Sequence, residues 1–165
     1  MPYRVCLVCL GNICRSPMAA AVLREQLRAA GLDGAVEVDS AGTGDWHVGN
    51  GADRRARAAL RNRGYPDNHT ARQFAHGWFA ERDLVLAMDS ANLRDLRGLA
   101  PDAGTADRVR LLLSYDPQAG PDLDVPDPYY GGRDGFEHVL DMLERACAVL
   151  VTELAQTLAA EGGTR

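Results

Sequence analysis

The sequence predicts an α/β fold: a single three-layer domain over residues 1–165, with a four-stranded parallel sheet and helices on both faces. Three observations predict it. Apolar runs of strand length alternate with longer segments of helical period, helix boundaries carry caps and glycine stops, and no repeat or low-complexity tract interrupts the pattern. Strands separated by helices pair in parallel through right-handed crossovers. A chain of 165 residues suits one core rather than two. Its 46% hydrophobic and 25% charged content is that of a globular chain.

The elements follow in order. Val5–Cys9, rich in small and β-branched residues, is the first strand. Ser16 reads as an N-cap and Pro17 as the first residue of a helix that runs to Ala30 and stops at Gly31. Val36–Ala41 is the second strand, running into a turn at Ala41-Gly42-Thr43-Gly44. Asp53 caps an arginine-rich helix to about Arg63, with Gly64 after it. From Tyr65 to Arg82 the pattern is weak: a turn at Pro66-Asp67-Asn68, then one or two short helical turns. Asp83–Met88 is a buried strand, Ser90 caps a short helix ending near Gly98, and Arg108–Leu113 is the fourth strand. Ser114–Gly132 is irregular and proline-rich. The last helix, Gly135–Ala160, has Phe136, Val139, Leu140, Leu143, Cys147, Leu150, Val151 and Leu154 on one face, with Asp134 and Glu137 fitting a capping box. Residues 1–2 and 161–165 are expected to fray.

Charge and cysteine usage narrow the function. The net charge of −5, with no basic run, argues against nucleic acid as a partner. All 18 basic residues are arginine, which points to a GC-rich genome rather than a mechanism. No apolar run is long enough to span a bilayer and no signal peptide is expected, so no membrane partner and a cytoplasmic location are the expectations, with signal-independent export left open. The four cysteines, Cys6, Cys9, Cys14 and Cys147, do not form the framework of a disulfide-rich secreted domain.

Three of them crowd the first strand and the loop after it. Cys9 and Arg15 bracket Leu10, Gly11, Asn12, Ile13 and Cys14. Gly and Asn tolerate positive φ best, so this loop can curl until successive N–H groups point inward. Such a nest opening onto a helix start seats a phosphate-sized dianion. Arg15 adds a planar fork for two phosphate oxygens. Cys9 then lies at the floor, where helix N-termini and cations favour a thiolate nucleophile, and Ser16 can donate to its sulfur. The duller reading, that Cys9 is a small buried hydrophobe, leaves the Gly-Asn turn, Arg15 and the Ser-Pro pair unexplained together.

In parallel sheets ligands sit beyond the carboxyl ends of the strands, where the Cys9 loop, the Ala41–Gly44 turn, the Asp89 region and the proline-rich segment converge. That segment ends in Asp127-Pro128-Tyr129-Tyr130. A departing ester oxygen needs a proton, and a carboxylic acid aimed at it contributes about 10²–10⁴-fold. Pro126 and Pro128 hold Asp127 extended; a solvated Asp-Pro turn is the commoner alternative. Tyr129 and Tyr130 suit a slot for an aromatic leaving group, and Trp46 is a candidate for the opposite wall.

Cys9-Leu-Gly-Asn-Ile-Cys-Arg-Ser-Pro17, with Asp127-Pro-Tyr-Tyr130 downstream, resembles the low-molecular-weight protein tyrosine phosphatases. The resemblance spans nearly the whole chain, including Ser40-Ala-Gly-Thr43 and the Asp67–Gln73 stretch. It implies Cys9 as nucleophile, Arg15 as phosphate clamp, Asp127 as general acid, and Asn12, Ser16, Ser40 and His69 as a network holding the loop. It also implies no metal or cofactor and phosphotyrosine-containing proteins as partners; a monomer is expected, with the oligomeric state left open. Leu10 departs from the threonine of many bacterial members, which changes pocket-edge polarity. Ile13 resembles the phosphotyrosine-directed majority, whereas members that prefer phosphoarginine tend to carry threonine there. Phosphoserine is expected to be too short to reach a cradle walled by Trp46 and Tyr129.

The remaining residues carry duller expectations. Cys14 is close enough in sequence to capture a sulfenic acid on Cys9 as a disulfide; the alternative is a buried thiol with no redox part. Cys6 and Cys9 mimic a redox or zinc pair, but residues three apart in a strand face opposite sides, and no second pair completes a site. Cys6 and Cys147 read as core, His47 as rim, and His76 and His138 as solvated. Asp89 reads as a helix-start residue rather than a catalytic one, and phosphorylation of Tyr129 or Tyr130 by a kinase stays open. Three functions compete: phosphotyrosine hydrolysis through a phosphocysteine, arsenate reduction on the same fold, and a phosphate-binding module without turnover. Arsenate reduction needs a further cysteine relay, and none lies between Cys14 and Cys147.

Overall fold

The first strand, β1 (Tyr3–Cys9), is the axis of the molecule. Val5, Cys6, Leu7 and Val8 are all fully buried, as expected of a parallel strand covered on both faces. The structure, a computed structural model, describes residues 1–162. Around β1 run α1 (Arg15–Ala29), β2 (Val36–Gly42), α2 (Arg54–Asn62), a 3₁₀ segment at His76–Glu81, β3 (Leu84–Ala87), α3 (Ser90–Leu99), α4 (Ala103–Ala106), β4 (Val109–Leu111) and α5 (Arg133–Gly162). The strand order is β2-β1-β3-β4, all parallel. The chain therefore moves to one side of β1 and then to the other. That reversal opens a crevice at the carboxyl end of β1, the place where open α/β sheets bind ligands.

Two cores flank the sheet. On one face Val5, Leu7 and Cys9 pack with α1 and with Phe136, Val139, Leu140, Leu143, Cys147, Leu150 and Leu154 of α5. On the other, Cys6 and Val8 pack with Phe74, Phe79, Val85, Leu96 and Val109. Cys6 and Cys9 thus face opposite sides, and all four cysteines are free thiols. Among the described residues, no helix is long and apolar enough to cross a membrane.

Several boundaries differ from the sequence expectations, each for a physical reason. α1 starts at Arg15, with Cys14 in the capping position and no side-chain cap; Ser16 and Pro17 lie inside the first turn. Ser16 is not the cap because its hydroxyl is turned toward Cys9. β4 is shorter than Arg108–Leu113: Leu112 and Leu113 are fully buried, but in a 3₁₀ turn. An apolar run reads alike in a strand and in a buried turn. α4 has no apolar period to betray it and rests on the Asp102 cap, whose carboxylate accepts from Thr105 N at 2.7 Å. Asp89, not Ser90, caps α3. α5 begins at Arg133, so Asp134 sits within its first turn rather than in a capping box. The helix runs through Glu161 and Gly162, and the expectation of fraying at 163–165 lies outside the described residues.

Candidate active site

The loop after β1 is fixed by one residue in the left-handed region. Asn12 has φ +57° and is the one non-glycine residue with positive φ among those described; asparagine tolerates this better than most. Its turn brings its own N–H to 3.3 Å from Cys9 Sγ. Its side chain then spends every polar atom: Nδ2 donates to Ser16 Oγ at 2.8 Å and to Ser40 Oγ at 3.0 Å, while Oδ1 accepts from Arg72 N at 2.9 Å. His69 Nε2 lies 2.6 Å from the Asn12 carbonyl, so the neutral ring donates there. Burial, with Arg24 and Arg72 nearby, holds the His69 pKa below its ordinary value, which favours that neutral form.

Ser16 completes the seat. Its Oγ lies 3.0 Å from Cys9 Sγ and 3.3 Å from the Ala41 carbonyl. One hydroxyl has one proton; with Asn12 donating to Ser16 Oγ, the acceptors within reach of that proton are the Cys9 sulfur and the Ala41 carbonyl. The end of β2 closes in from the side: Thr43 N donates to Cys9 O and Gly44 N to Leu10 O, both at 2.9 Å. Gly42 permits this approach, since a Cβ there would stand 2.7 Å from Leu10 O and 3.1 Å from Asn12 N. Glycine here serves close backbone packing.

Arg15 is the buried cation of the site, 3% exposed. Its Nη1 donates to Asp89 Oδ2 at 2.6 Å and to Val125 O at 3.0 Å. Asp127 Oδ2 stands 3.7 Å from Nη2. Burial opposes the charge, but Cys9, Asp89 and Asp127 outweigh it and hold the guanidinium firmly protonated. Asp89 was expected only as a helix-start residue; it caps α3 with Oδ1 and aligns Arg15 with Oδ2. The available signal was its place, an acid immediately after a strand on the ligand-binding rim. Arg72 and Val125 act through backbone atoms, which no side-chain pattern reveals.

Cys9, Leu10, Gly11, Ile13, Cys14, Arg15, Trp46, His47, Asp127, Tyr129 and Tyr130 enclose a cavity of about 290 Å³. Asn12 and Ser16 lie behind it, fully buried, and Ser40 and His69 behind them, so those four support the loop rather than line the pocket. Trp46 leans over Gly44, close enough to exclude a Cβ there, while Tyr129 and Tyr130 meet edge to face with centroids 5.0 Å apart. Burial first, then Asp53, Cys9 and Asp127, push the Cys14 thiol pKa well up. Among the described residues no group of His, Cys, Asp or Glu is arranged to hold a metal ion.

A parallel sheet whose first strand ends in a buried cysteine, with the Asn12 N–H and the Ser16 hydroxyl on its sulfur and a buried arginine lining the same cavity, fits the class of cysteine-based phosphate monoester hydrolases. Residues 4–160 match the model of the family described as low molecular weight phosphotyrosine protein phosphatase. The chain is 59% identical over 157 residues to a low molecular weight protein-tyrosine-phosphatase of Streptomyces coelicolor, covering 94% of this chain and 96% of that one. It is 48% identical over 162 residues to low molecular weight protein-tyrosine phosphatase A of Mycobacterium tuberculosis, covering 98% and 97%. A crystal structure of a protein tyrosine phosphatase from Entamoeba histolytica superimposes with a TM-score of 0.90 at 35% identity, covering 94% of this chain and 98% of that one. The chain belongs to the low-molecular-weight protein tyrosine phosphatase family, and it is an enzyme of that class.

Proposed function

We propose that this enzyme hydrolyses phosphotyrosine in proteins through a phosphocysteine on Cys9, with Asp127 as the general acid. The observation that carries the reading is the seat of the sulfur. Cys9 Sγ has an N–H at 3.3 Å and a hydroxyl at 3.0 Å, in a cavity that Arg15 and Asp127 also line.

In the first step the Cys9 thiolate forms a sulfur–phosphorus bond as the phosphorus–oxygen ester bond breaks. The protonated Asp127 gives its proton to the departing phenolic oxygen. The loop N–H groups and the Nη2 edge of Arg15 take the three non-bridging oxygens, whose charge they meet without reorganising. In the second step water attacks phosphorus, its proton passes to the Asp127 carboxylate, and the sulfur leaves as thiolate. Ser16 Oγ–H donates to that leaving sulfur.

The aromatic wall supports the substrate class. Tyr129 and Trp46 flank the cavity mouth, where a phenyl ring can lie while its phosphate reaches the floor, and a serine linker is too short for both. Arsenate reduction is less well supported, because Cys147, the one later cysteine, is fully buried in the α5 core and cannot relay a disulfide. A binding module without turnover would have no use for an acid beside the anion seat. The test is release of phosphate from an aryl phosphate by wild type and Cys9→Ser. The reading expects no turnover in the variant, and retained turnover overturns it.

A further inference from the structure

The helix α2 carries an arginine that the chemistry above does not use. Arg57 and Arg61 both pair with Asp67 at the surface, but Arg55 turns the other way, toward the proline-rich loop. Its Nη2 donates to Tyr129 O at 2.8 Å and its Nη1 to Gly131 O at 3.1 Å. Among the described residues, these are the side-chain hydrogen bonds that tie Tyr129 and Gly131 to another element. The guanidinium also lies over two rings, 4.8 Å from the Phe136 centroid and 5.4 Å from that of Tyr129.

Arg55 is itself held in place. The Asp53 carboxylate accepts Arg55 N at 2.8 Å, Nε at 3.1 Å and Nη2 at 3.2 Å. Asp53 N in turn donates to Ile13 O at 2.8 Å, so the residue that grips Arg55 is bonded to the wall of the phosphate cradle. At the other end, Tyr129 N donates to Asp127 Oδ1 at 3.0 Å. One chain of contacts therefore runs from the Cys9 loop through Asp53 and Arg55 to Tyr129, whose N–H orients the Asp127 carboxyl. Planar, forked donors hold two carbonyls in a fixed relation better than a point charge does.

We propose that Arg55 is a positioning residue for the general acid: it fixes the distance between the Asp127 carboxyl and the cradle, and it holds the Tyr129 ring against the pocket mouth. The proposal rests on the reading of Asp127 as the proton donor. A misplacement near 1 Å far from the chemistry can cost on the order of 10²-fold. The loss should fall on the step that needs the proton and spare the anion seat.

The experiment compares kcat/KM of wild type, Arg55→Met, Arg55→Lys, Asp127→Ala and the Arg55→Met/Asp127→Ala double variant. The substrates are phenyl phosphate, whose leaving group needs a proton, and dinitrophenyl phosphate, whose leaving group does not. Methionine keeps the apolar packing over Phe136 and removes the donors; lysine keeps the charge without the fork. The expected result for Arg55→Met is a loss of roughly tenfold or more on phenyl phosphate and under about threefold on dinitrophenyl phosphate. Arg55→Lys should fall between it and wild type. The inhibition constant of inorganic phosphate should stay within about twofold, which reports an intact cradle. In the Asp127→Ala background, Arg55→Met should add under about twofold, since both act on one proton transfer. Equal losses on both substrates, wild-type kinetics, weakened phosphate inhibition, or additive losses in the double variant overturn the role of Arg55. Should Asp127→Ala itself lose equally on both substrates, the general-acid reading falls and the proposal with it; selective loss in Asp127→Ala with none in Arg55→Met removes Arg55 alone.

Discussion

Two loops meet at this pocket and are built on opposite plans. The loop from Cys9 to Arg15 is locked from behind: Asn12, Arg15 and Ser16 are at most 3% exposed, and every polar atom of the Asn12 side chain is used. The loop around Asp127 is open: the Asp127 side chain is 36% exposed and Tyr130 90%, and Arg55 ties it from one side. The difference teaches where each kind of group must come from. A nucleophile and its anion seat gain from preorganisation, because donors already aimed at developing charge do not have to reorient. On the proposed reading of Asp127 as the proton donor, its place on a loop that borders solvent lets it reach leaving groups of different shapes.

The contrast can be broken at the cradle first, where the largest effect is expected. Cys9→Ser should remove aryl phosphate turnover while inorganic phosphate still binds, read by steady-state kinetics and by calorimetry; turnover near wild type would place the nucleophile elsewhere. Asp127→Ala should cost about 10²–10⁴-fold on phenyl phosphate and far less on dinitrophenyl phosphate, leaving phosphate binding intact. An equal loss on both would deny the acid loop its separate task.

Asp89→Ala tests the lock through stability. Arg15 would keep a buried charge without its main carboxylate, and α3 would lose its cap. Removing one partner of a buried pair costs about 3–5 kcal/mol, and a lost cap about 0.5–2 kcal/mol. Urea denaturation should show a loss within those bounds, reduced by saturating phosphate, which restores a countercharge to Arg15. No loss of stability would mean that the pair is not the anchor of the arginine.

The smallest expected effect is the pH dependence of the network behind the loop. The folded-state pKa of His69 is depressed, first by burial, while an unfolded histidine titrates near about 6.5. Between those two values the unfolded chain binds the additional proton, so stability rises with pH through that window and falls as pH drops below about 6.5. His69→Gln should flatten that part of the wild-type profile, measured as the difference in unfolding free energy across the window. An unchanged slope would show that the ring does not titrate between the two states.

Much of the cradle was legible in the sequence, because the loop performs its work with residue types that announce it. Asn12 signals the turn and takes the positive φ, which Gly11 does not, and strand and helix patterns on either side place Cys9 and Arg15 together at the sheet rim. The four-stranded parallel sheet was legible for the same reason, since buried strands and amphipathic helices differ in period. Less legible was whatever depends on main-chain partners or on two jobs for one side chain. Ser16 reads as a cap because serine usually is one, yet tertiary contacts turn it to the sulfur. Asp89 both caps α3 and aligns Arg15. Arg55 is one of several arginines in its helix, and its targets are carbonyls that any residue would supply.

The central claim, that Cys9 sulfur takes the phosphoryl group from the ester, is tested most directly by trapping the intermediate. Wild type mixed with an aryl phosphate and quenched in acid within one turnover should yield a Cys9-containing peptide carrying one phosphate, absent from Cys9→Ser and discharged on longer incubation. Phosphate found on another residue, or turnover with no phosphorylated Cys9 peptide at any quench time, would contradict the account.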